Sequence, residues 1–272
     1  MSDRLELDLA SRFMGLLVAG DVHGHSRPFA RLIAHARERN LFLVSCGDLV
    51  DRGPDSAGCL ARMRDLEAAG GGSWIRGNHE HKLHRGLLGR DVRVDEALAR
   101  TYAELGRAPD VRDWFVARYP DVPFLVRLGD LLVVHGGFGV RMLDLDPLPQ
   151  PLRARALFGQ TARHTRADGR PVRLYRWVDE VPDGLVVVIG HDPCVGDVLL
   201  ERRGVQGGRM IHLDSAAAKG GPVSALETDR SGRIVGALQA DPDGAVLRCV
   251  AIEPYDDART RPDDGASAPG GA

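Results

Sequence analysis

Five short apolar runs in this chain end alike, with a glycine beside side chains able to bind an ion or an anion. GLLVAGDVHG ends in Asp21 and His23, and LFLVSCGDLVDRG in Asp48, Asp51 and Arg52. SWIRGNHE brings Arg76, Asn78 and His79, LLVVHGG brings His135, and GLVVVIGHDP brings His191. Short apolar, β-branched runs bounded by glycine are the pattern of strands buried on both faces. Polar groups crowd at the ends of such strands only when something of complementary charge waits there. In α/β folds ligand sites collect at the carboxyl edges of parallel strands, where glycine lets the backbone turn sharply and come close to a ligand. The shared ending therefore requires the runs to lie with their ends together.

Helical patterns separate the runs. Pro28 stands in the first turn of PFARLIAHARERN, with Phe29, Leu32, Ile33 and Ala36 at helical spacing. A second helix follows Pro54, carries Cys59, Leu60, Met63 and Leu66 on one side, and stops at the glycines 70–72; EHKLHRGLL is a third. Strands alternating with helices predict parallel β-α-β units. Two further helical patterns, around 95–105 and 110–118 with Trp114 and Phe115 as core anchors, predict a helical insertion at about 91–120. VPFLVRLGDLLVVHGG is two strands around a Gly-Asp turn. From 194 to about 251, short strands between Gly-rich turns predict an antiparallel run closing a second sheet. The fold class is α/β, two facing sheets with helices outside, in one catalytic domain over 1–254. The aperiodic stretch 255–272, rich in Pro, Gly, Ala and Asp, is expected to be a disordered tail.

A net charge of −2 and a 27% charged fraction mark an ordinary soluble globular chain and point to no partner by themselves. Cys46, Cys59, Cys194 and Cys249 form no CxxC pair, which argues against a disulfide framework and a structural zinc site. The apolar run FMGLLVAG is too short to span a bilayer and is stopped by Asp21, so a cytoplasmic protein is expected, with no membrane partner. Arginine carries almost all the positive charge, Lys82 and Lys219 being the only lysines, as codon bias alone would produce. Within 151–176, Arg153, Arg155, Arg163, Arg166, Arg170, Arg173 and Arg176 face the single acid Asp168. Such a segment is either a strip that concentrates anionic substrate or an exposed loop paired with acids elsewhere. Aromatics make up only 5% and do not interleave the arginines, against sequence-specific nucleic-acid binding.

Gathered at one edge, the five endings would bring together carboxylates, imidazoles, a carboxamide and arginines. Carboxylates crowded in this way raise one another's pKa, and divalent cations relieve them. Mixed imidazole, carboxylate and amide ligands suit manganese, iron or zinc rather than a thiolate zinc site or an all-oxygen calcium site. Asp48, central in the series, is the natural bridge between two cations. Each residue alone has a plainer explanation: Asp21 as a turn former, Asn78 as a cap, His135 or His191 as a hydrogen-bonded core histidine. Those explanations would have to hold independently at five strand ends. His25, His35, His81, His84, His164 and His212 fit no such loop and are left as surface or supporting residues.

In this order, GDVHG, GDLVDRG, GNHE, HGG and a late IGH resemble the calcineurin-like metallophosphoesterases, and among them the phosphoprotein-phosphatase branch, over roughly residues 15–230. The resemblance implies a four-layer β-sandwich flanked by helices. It implies two divalent metals, most simply manganese, with iron, zinc, nickel or magnesium as alternatives. One would be held by Asp21, His23 and the shared Asp48, the other by Asp48, Asn78, His135 and His191. It implies hydrolysis of phosphomonoesters by a metal-bridging hydroxide. His79 would protonate the leaving oxygen, Asp51 would orient His79, and Arg52 and Arg76 would hold phosphoryl oxygens. GNHEHKLHRGLLGR, ALFGQT, GRPVR, IGHDP and LDSAAAKGGPVSAL look most like the phosphatase module of bacterial polynucleotide kinase-phosphatases, although the kinase's GxxxxGK loop is absent. The expected substrate is a phosphoserine or phosphothreonine side chain of a protein. The alternatives are phosphates or cyclic phosphodiesters at RNA ends and on nucleotides, or diadenosine tetraphosphate. The commonest hydrolases of the last compound lack an acid at the position of Asp51 and read GNHD, whereas this chain has Asp51 and Glu80, which leans away from them. An inactive scaffold predicts missing ligands, and none is missing; a nucleic-acid module predicts a basic domain, and the pI is about 6.6.

Overall fold

Successive side chains of a strand point to opposite faces, and the apolar runs use both. In β2 (Gly15–Ala19), Leu16 and Val18 enter one apolar cluster and Leu17 and Ala19 another. In β5 (Leu125–Leu128) and β6 (Leu131–Val134), Val126, Leu128, Leu131 and Val133 join Leu16 and Val18, while Leu125, Leu132 and Val134 turn to a third cluster. The middle cluster lies between two sheets, and the outer two lie beneath helices. This four-layer α/β sandwich is the expected fold. The computed structural model describes residues 2–9, 12–165, 171–194 and 197–255.

One sheet holds β2, β3 (Leu41–Ser45), β4 (Gly72–Trp74), β12 (Val223–Asp229), β13 (Ile234–Ala240) and β14 (Leu247–Cys249), in the order β14-β13-β12-β2-β3-β4. Its neighbours β2, β3 and β4 are parallel, with Leu17 beside Leu43 and Val44 beside Ser73. The other sheet holds β1 (Arg4–Glu6), β5, β6, β9 (Val186–Ile189), β10 (Leu199–Arg203), β11 (Arg209–His212) and β15 (Ile252–Pro254), in the order β1-β5-β6-β9-β11-β10-β15. Here β6, β9 and β11 are parallel, with Leu132 beside Val187 and Val187 beside Met210. Each sheet thus has three parallel strands whose carboxyl ends lie at one edge.

The expected helices form as α1 (Ser26–Glu38), α2 (Ser56–Ala68) and α3 (Asn78–Leu87), and the insertion as α4 (Glu96–Arg107) and α5 (Pro109–Arg118). Asp55 caps α2 by accepting the Gly58 amide at 2.9 Å. Trp114 and Phe115 meet Trp74 with ring centroids 6.2 and 6.1 Å away, so the insertion packs onto the end of β4. One expectation fails. The strands after 194 do not close a single sheet: β10, β11 and β15 join one sheet, and β12, β13 and β14 join the other. Turn chemistry specifies which strands are joined, while the choice of sheet depends on pairing with β9 for β11 and, some two hundred residues away, with β2 for β12. Three further elements carry no clear sequence signal: β1, α6 (Gln150–Phe158), and the hairpin of β7 (Gln160–Thr165) with β8 (Pro171–Leu174). Residues 256–272 of the expected tail lie outside the described residues. Among the described residues no helix is long and apolar enough to cross a membrane.

Candidate active site

The loop after β3 makes the sharpest demand on the backbone. Asp48, Asp51 and Arg52 have φ of 52°, 68° and 72°, in the left-handed region that non-glycine residues seldom enter. Glu80, fully buried in the first turn of α3, holds the Asp48 end of the loop in place. Its Oε2 accepts the Asp48 amide at 2.9 Å, and its Oε1 accepts the amides of Leu49 and Val50 at 2.6 and 3.1 Å. Burial and then the Asp48 carboxylate push Glu80 up to about 7, against the pull of its amide donors. The approach is close: a Cβ on Gly77 would lie 2.3 Å from the Asp48 nitrogen, and one on Gly190 would lie 1.9 Å from Asp21 Oδ1.

The imidazoles are oriented by carbonyls. His135 Nδ1 faces the Cys46 carbonyl at 2.9 Å, and a carbonyl only accepts, so that nitrogen carries a hydrogen. His135 Nε2 is then left among acceptors: Asn78 Oδ1 at 3.0 Å, His191 Nδ1 at 3.2 Å and Asp48 Oδ1 at 3.4 Å. His23 repeats the arrangement. Its Nδ1 faces the Val50 carbonyl at 3.2 Å, and its Nε2 lies 3.8 Å from Asp48 Oδ2 and 3.9 Å from Asp21 Oδ2. Lone pairs packed this closely repel unless a positive charge sits among them. Buried His191 Nε2 has no hydrogen-bond partner among the described residues. Two groups have ligand atoms within 4.8 Å of one another, His23 with Asp48 and His79, and Asp48 with His135 and His191. Asp48 belongs to both. The donor set fits divalent cations bound to nitrogen and oxygen.

The electrostatics follow from this crowding. Burial opposes ionisation of Asp48, but His135, His79 and His23 outweigh it and hold the carboxyl well below its ordinary value. Burial and then Asp214 raise Asp21 well above its own. Burial likewise opposes a charge on His135, yet Asp48 raises it far above an ordinary histidine. Burial pushes His23 down to about 4 and, with His135 and then Arg173, lowers His191. The pocket therefore demands positive charge around Asp48, supplied by protons or by cations.

At the rim, His79 Nδ1 meets Asp51 Oδ2 at 2.7 Å. Thr101 Oγ1, from α4, donates to Asp51 Oδ1 at 2.6 Å, and Ser56 Oγ accepts the Asp51 amide at 3.0 Å. Burial works against protonation of His79, but Asp48 and the bonded Asp51 raise it above the ordinary value, as an acid needs. Arg52 is exposed, and its charge bears on both His23 and His79, which puts it beside the cluster. Arg76 is a correction. Expected to hold phosphoryl oxygens, it donates instead to the carbonyls of Val122 at 2.6 Å and Pro120 at 2.7 Å. Its guanidinium lies over the rings of Phe124 and Tyr119, 4.6 and 5.1 Å from their centroids. These contacts tie the end of β4 to the segment between α5 and β5.

The structure thus brings Asp21, His23, Asp48, Asn78, His135 and His191 together, with His79, Asp51 and Arg52 at their edge. The sequence analysis missed three supporting residues. Glu80 and Thr101 act on loops distant in sequence. Asp214 follows β11 by two residues in the run RMIHLD with no glycine beside it, so it escaped the pattern; burial, with Asp48 among its neighbours, raises it to about 7. The Arg-rich segment divides. Arg153 pairs with Asp3 at 2.8 Å, Arg173 donates to the Phe158 carbonyl at 2.6 Å while its charge bears on His191, and Arg166, Asp168 and Arg170 lie outside the described residues.

Residues 14–213 match the family described as calcineurin-like phosphoesterase. Among curated proteins, the asymmetrical bis(5'-nucleosyl)-tetraphosphatase PrpE of Geobacillus thermodenitrificans is 30% identical over 232 residues, 78% of this chain and 90% of the relative. Its counterpart from Bacillus subtilis is 27% identical over 262 residues, covering 90% and 98%. In fold, the chain is similar to a crystal structure provisionally assigned as a diadenosine tetraphosphatase, with a TM-score of 0.56, 21% identity and coverage of 88% and 98%. It is also similar to a serine/threonine phosphatase from Saccharomyces cerevisiae, with a TM-score of 0.53, 15% identity and coverage of 94% and 86%. At such identities the two structures speak for the fold alone.

Proposed function

This chain belongs to the calcineurin-like phosphoesterases, hydrolases that act with divalent metal ions, and on that premise we propose that it cleaves dinucleoside tetraphosphates asymmetrically. The observation that carries the hydrolytic site is the membership of Asp48 in both ligand groups. The substrate reading is supported by the resemblance to the PrpE tetraphosphatases, 30% identical over nine-tenths of the relative's length. It replaces phosphoserine and phosphothreonine as first choice, because the likeness to a protein phosphatase is confined to fold at 15% identity. The lean away from tetraphosphates, drawn from Asp51 and Glu80, weighs less than likeness across most of the chain. Residues 1–254 are taken as one catalytic domain, because its two sheets share one core and one site.

Asp21, His23 and Asp48 would hold one cation and Asp48, Asn78, His135 and His191 the other, with manganese the first choice for these ligands. When bound, such cations supply a water of lowered pKa and positive charge against phosphoryl oxygens. The chain does the rest. The Cys46 and Val50 carbonyls fix His135 and His23 with Nε2 facing inward. Arg52 offers planar donors to non-bridging oxygens as charge builds on phosphorus. Water adds to phosphorus and releases a proton to solvent, the bond to the leaving oxygen breaks, and His79 Nε2–H supplies that oxygen's proton and is reprotonated from solvent, while Asp51 and Thr101 hold the ring in place.

With manganese, diadenosine tetraphosphate should yield AMP and ATP, resolved by ion-exchange chromatography. Its kcat/KM should exceed that of a phosphoserine peptide and of a 3′-phosphorylated RNA by about tenfold or more; a preference for the peptide would overturn the substrate reading. His79→Ala then separates the chemistry. A nucleotide leaves as a stabilised phosphate anion and a serine as an alkoxide, so the variant should slow the peptide by about 10²–10⁴ and the dinucleotide far less. Equal losses on both substrates would remove His79 from the role of acid.

A further inference from the structure

The loops that carry His23 and Arg52 also wall a cleft of about 580 Å³. His25 comes two residues after His23, and Pro54 two residues after Arg52. The loops are tied together, the Gly53 amide donating to the His23 carbonyl at 2.8 Å and the Asp55 amide to the Gly24 carbonyl at 2.9 Å. The opposite wall is the turn at Pro242 and Asp243, whose neighbour Gly244 packs so closely on Arg27 that a Cβ there would lie 2.7 Å from the Arg27 carbonyl carbon. The cleft is therefore preformed, and its wall at His25 and Pro54 lies two residues along the same loops from His23 and Arg52.

Its lining decides what it can take. His25, Pro28, Pro54 and Pro242 give the lining a largely apolar character, and the imidazole of His25 is a ring against which a heterocycle can stack. The charges are one guanidinium, Arg27, against two carboxylates, Asp55 and Asp243. That balance repels a polyphosphate chain and suits a neutral group bearing hydroxyl and amino donors. Asp55 is held rigid, accepting the Gly58 amide at 2.9 Å and the Ser26 hydroxyl at 2.5 Å. The volume falls within the 300–1,000 Å³ range of small-molecule sites.

We propose that this cleft holds the nucleoside at one end of the substrate, its base against the proline and histidine faces and its ribose hydroxyls donating to a carboxylate. Arg52, two residues before Pro54 and with its charge bearing on His23 and His79, then takes the phosphates. The assignment rests on the tetraphosphatase reading, and two measurements keep their failures apart. The first is kinetic. Pro242→Trp and, from the facing wall, Arg27→Trp fill the cleft, and each should lower the ratio of kcat/KM for diadenosine tetraphosphate to that for p-nitrophenyl phosphate by about tenfold or more, the scale of one lost base stack. An unchanged ratio in both variants, with melting temperatures like the parent's, overturns the cleft. The second is binding. Adenosine titrated into the ¹⁵N-labelled chain should shift the amides of residues 25–27, 243 and 244, and Pro242→Trp should abolish the shifts. If the parent chain does not cleave the dinucleotide, the tetraphosphatase reading fails. The cleft falls if adenosine leaves those amides unmoved.

Discussion

Asp48→Asn is expected to lose both bound cations and about a thousandfold or more in kcat while keeping its fold. Asparagine has nearly the shape of aspartate and retains an Oδ1 to accept the His79 amide, which Asp48 Oδ1 does at 3.0 Å. Only the charge disappears, yet that charge belongs to both ligand groups. Without it His23, His79, His135 and His191 face one another across a pocket where Asp21 is the carboxylate left among the ligands, and that residue serves one cation site only. A thousandfold is the upper end of the loss seen when a single charge-stabilising group is removed from an active site, and here one substitution removes the support of two cations. Metal content by inductively coupled plasma mass spectrometry, a thermal melt and a turnover assay test it together. A variant that retained two metals per chain would remove Asp48 from the bridge. An unfolded variant would show that the aspartate holds the loop rather than the ions.

How far the site was legible in the sequence depended on where each residue's partner lies. Asp21, His23, Asp48, Asn78, His135 and His191 stand at strand ends beside glycine, and both the ending and the ligand chemistry can be read from a few consecutive residues. The same locality made the alternating strands and helices of the first hundred residues legible, as well as the insertion and the β5–β6 hairpin. Arg76 failed because a guanidinium can serve a phosphate or a carbonyl equally well. Its partners at Val122 and Pro120 lie 46 and 44 residues away in the chain. Thr101 was invisible for the same reason, fifty positions from the Asp51 it holds. Asp214 follows a strand without a glycine beside it and so broke the pattern that found the others. The choice of sheet for the strands after 194 was set by β2 and β9, which no turn signal encodes.

Glu80→Ala should destabilise the chain by about 3 kcal/mol or more, because three buried amides lose their acceptor at once and each such loss costs about 1–3 kcal/mol. Those amides belong to Asp48, Leu49 and Val50, so the damage falls on the loop where the left-handed, non-glycine backbone of Asp48 must be held against its preference. For a chain of this size the loss amounts to about 6–12 °C in melting temperature. Glu80→Gln sharpens the test. It keeps one oxygen, able to serve Leu49 and Val50 as Oε1 does, but turns an amino group towards the Asp48 amide, where donor meets donor. The melting temperature should then fall less than for alanine, while the position of Asp48, and with it metal affinity and kcat, should still suffer. Calorimetry beside a manganese titration separates the two effects. If Gln lost stability without losing metal affinity, Glu80 would be a core anchor only; if Ala left both intact, the loop would hold its strained shape by some other means. The prediction links three levels in one residue: an acid in the first turn of α3 fixes the loop after β3, that loop aims Asp48, and Asp48 is the anion around which the histidines gather.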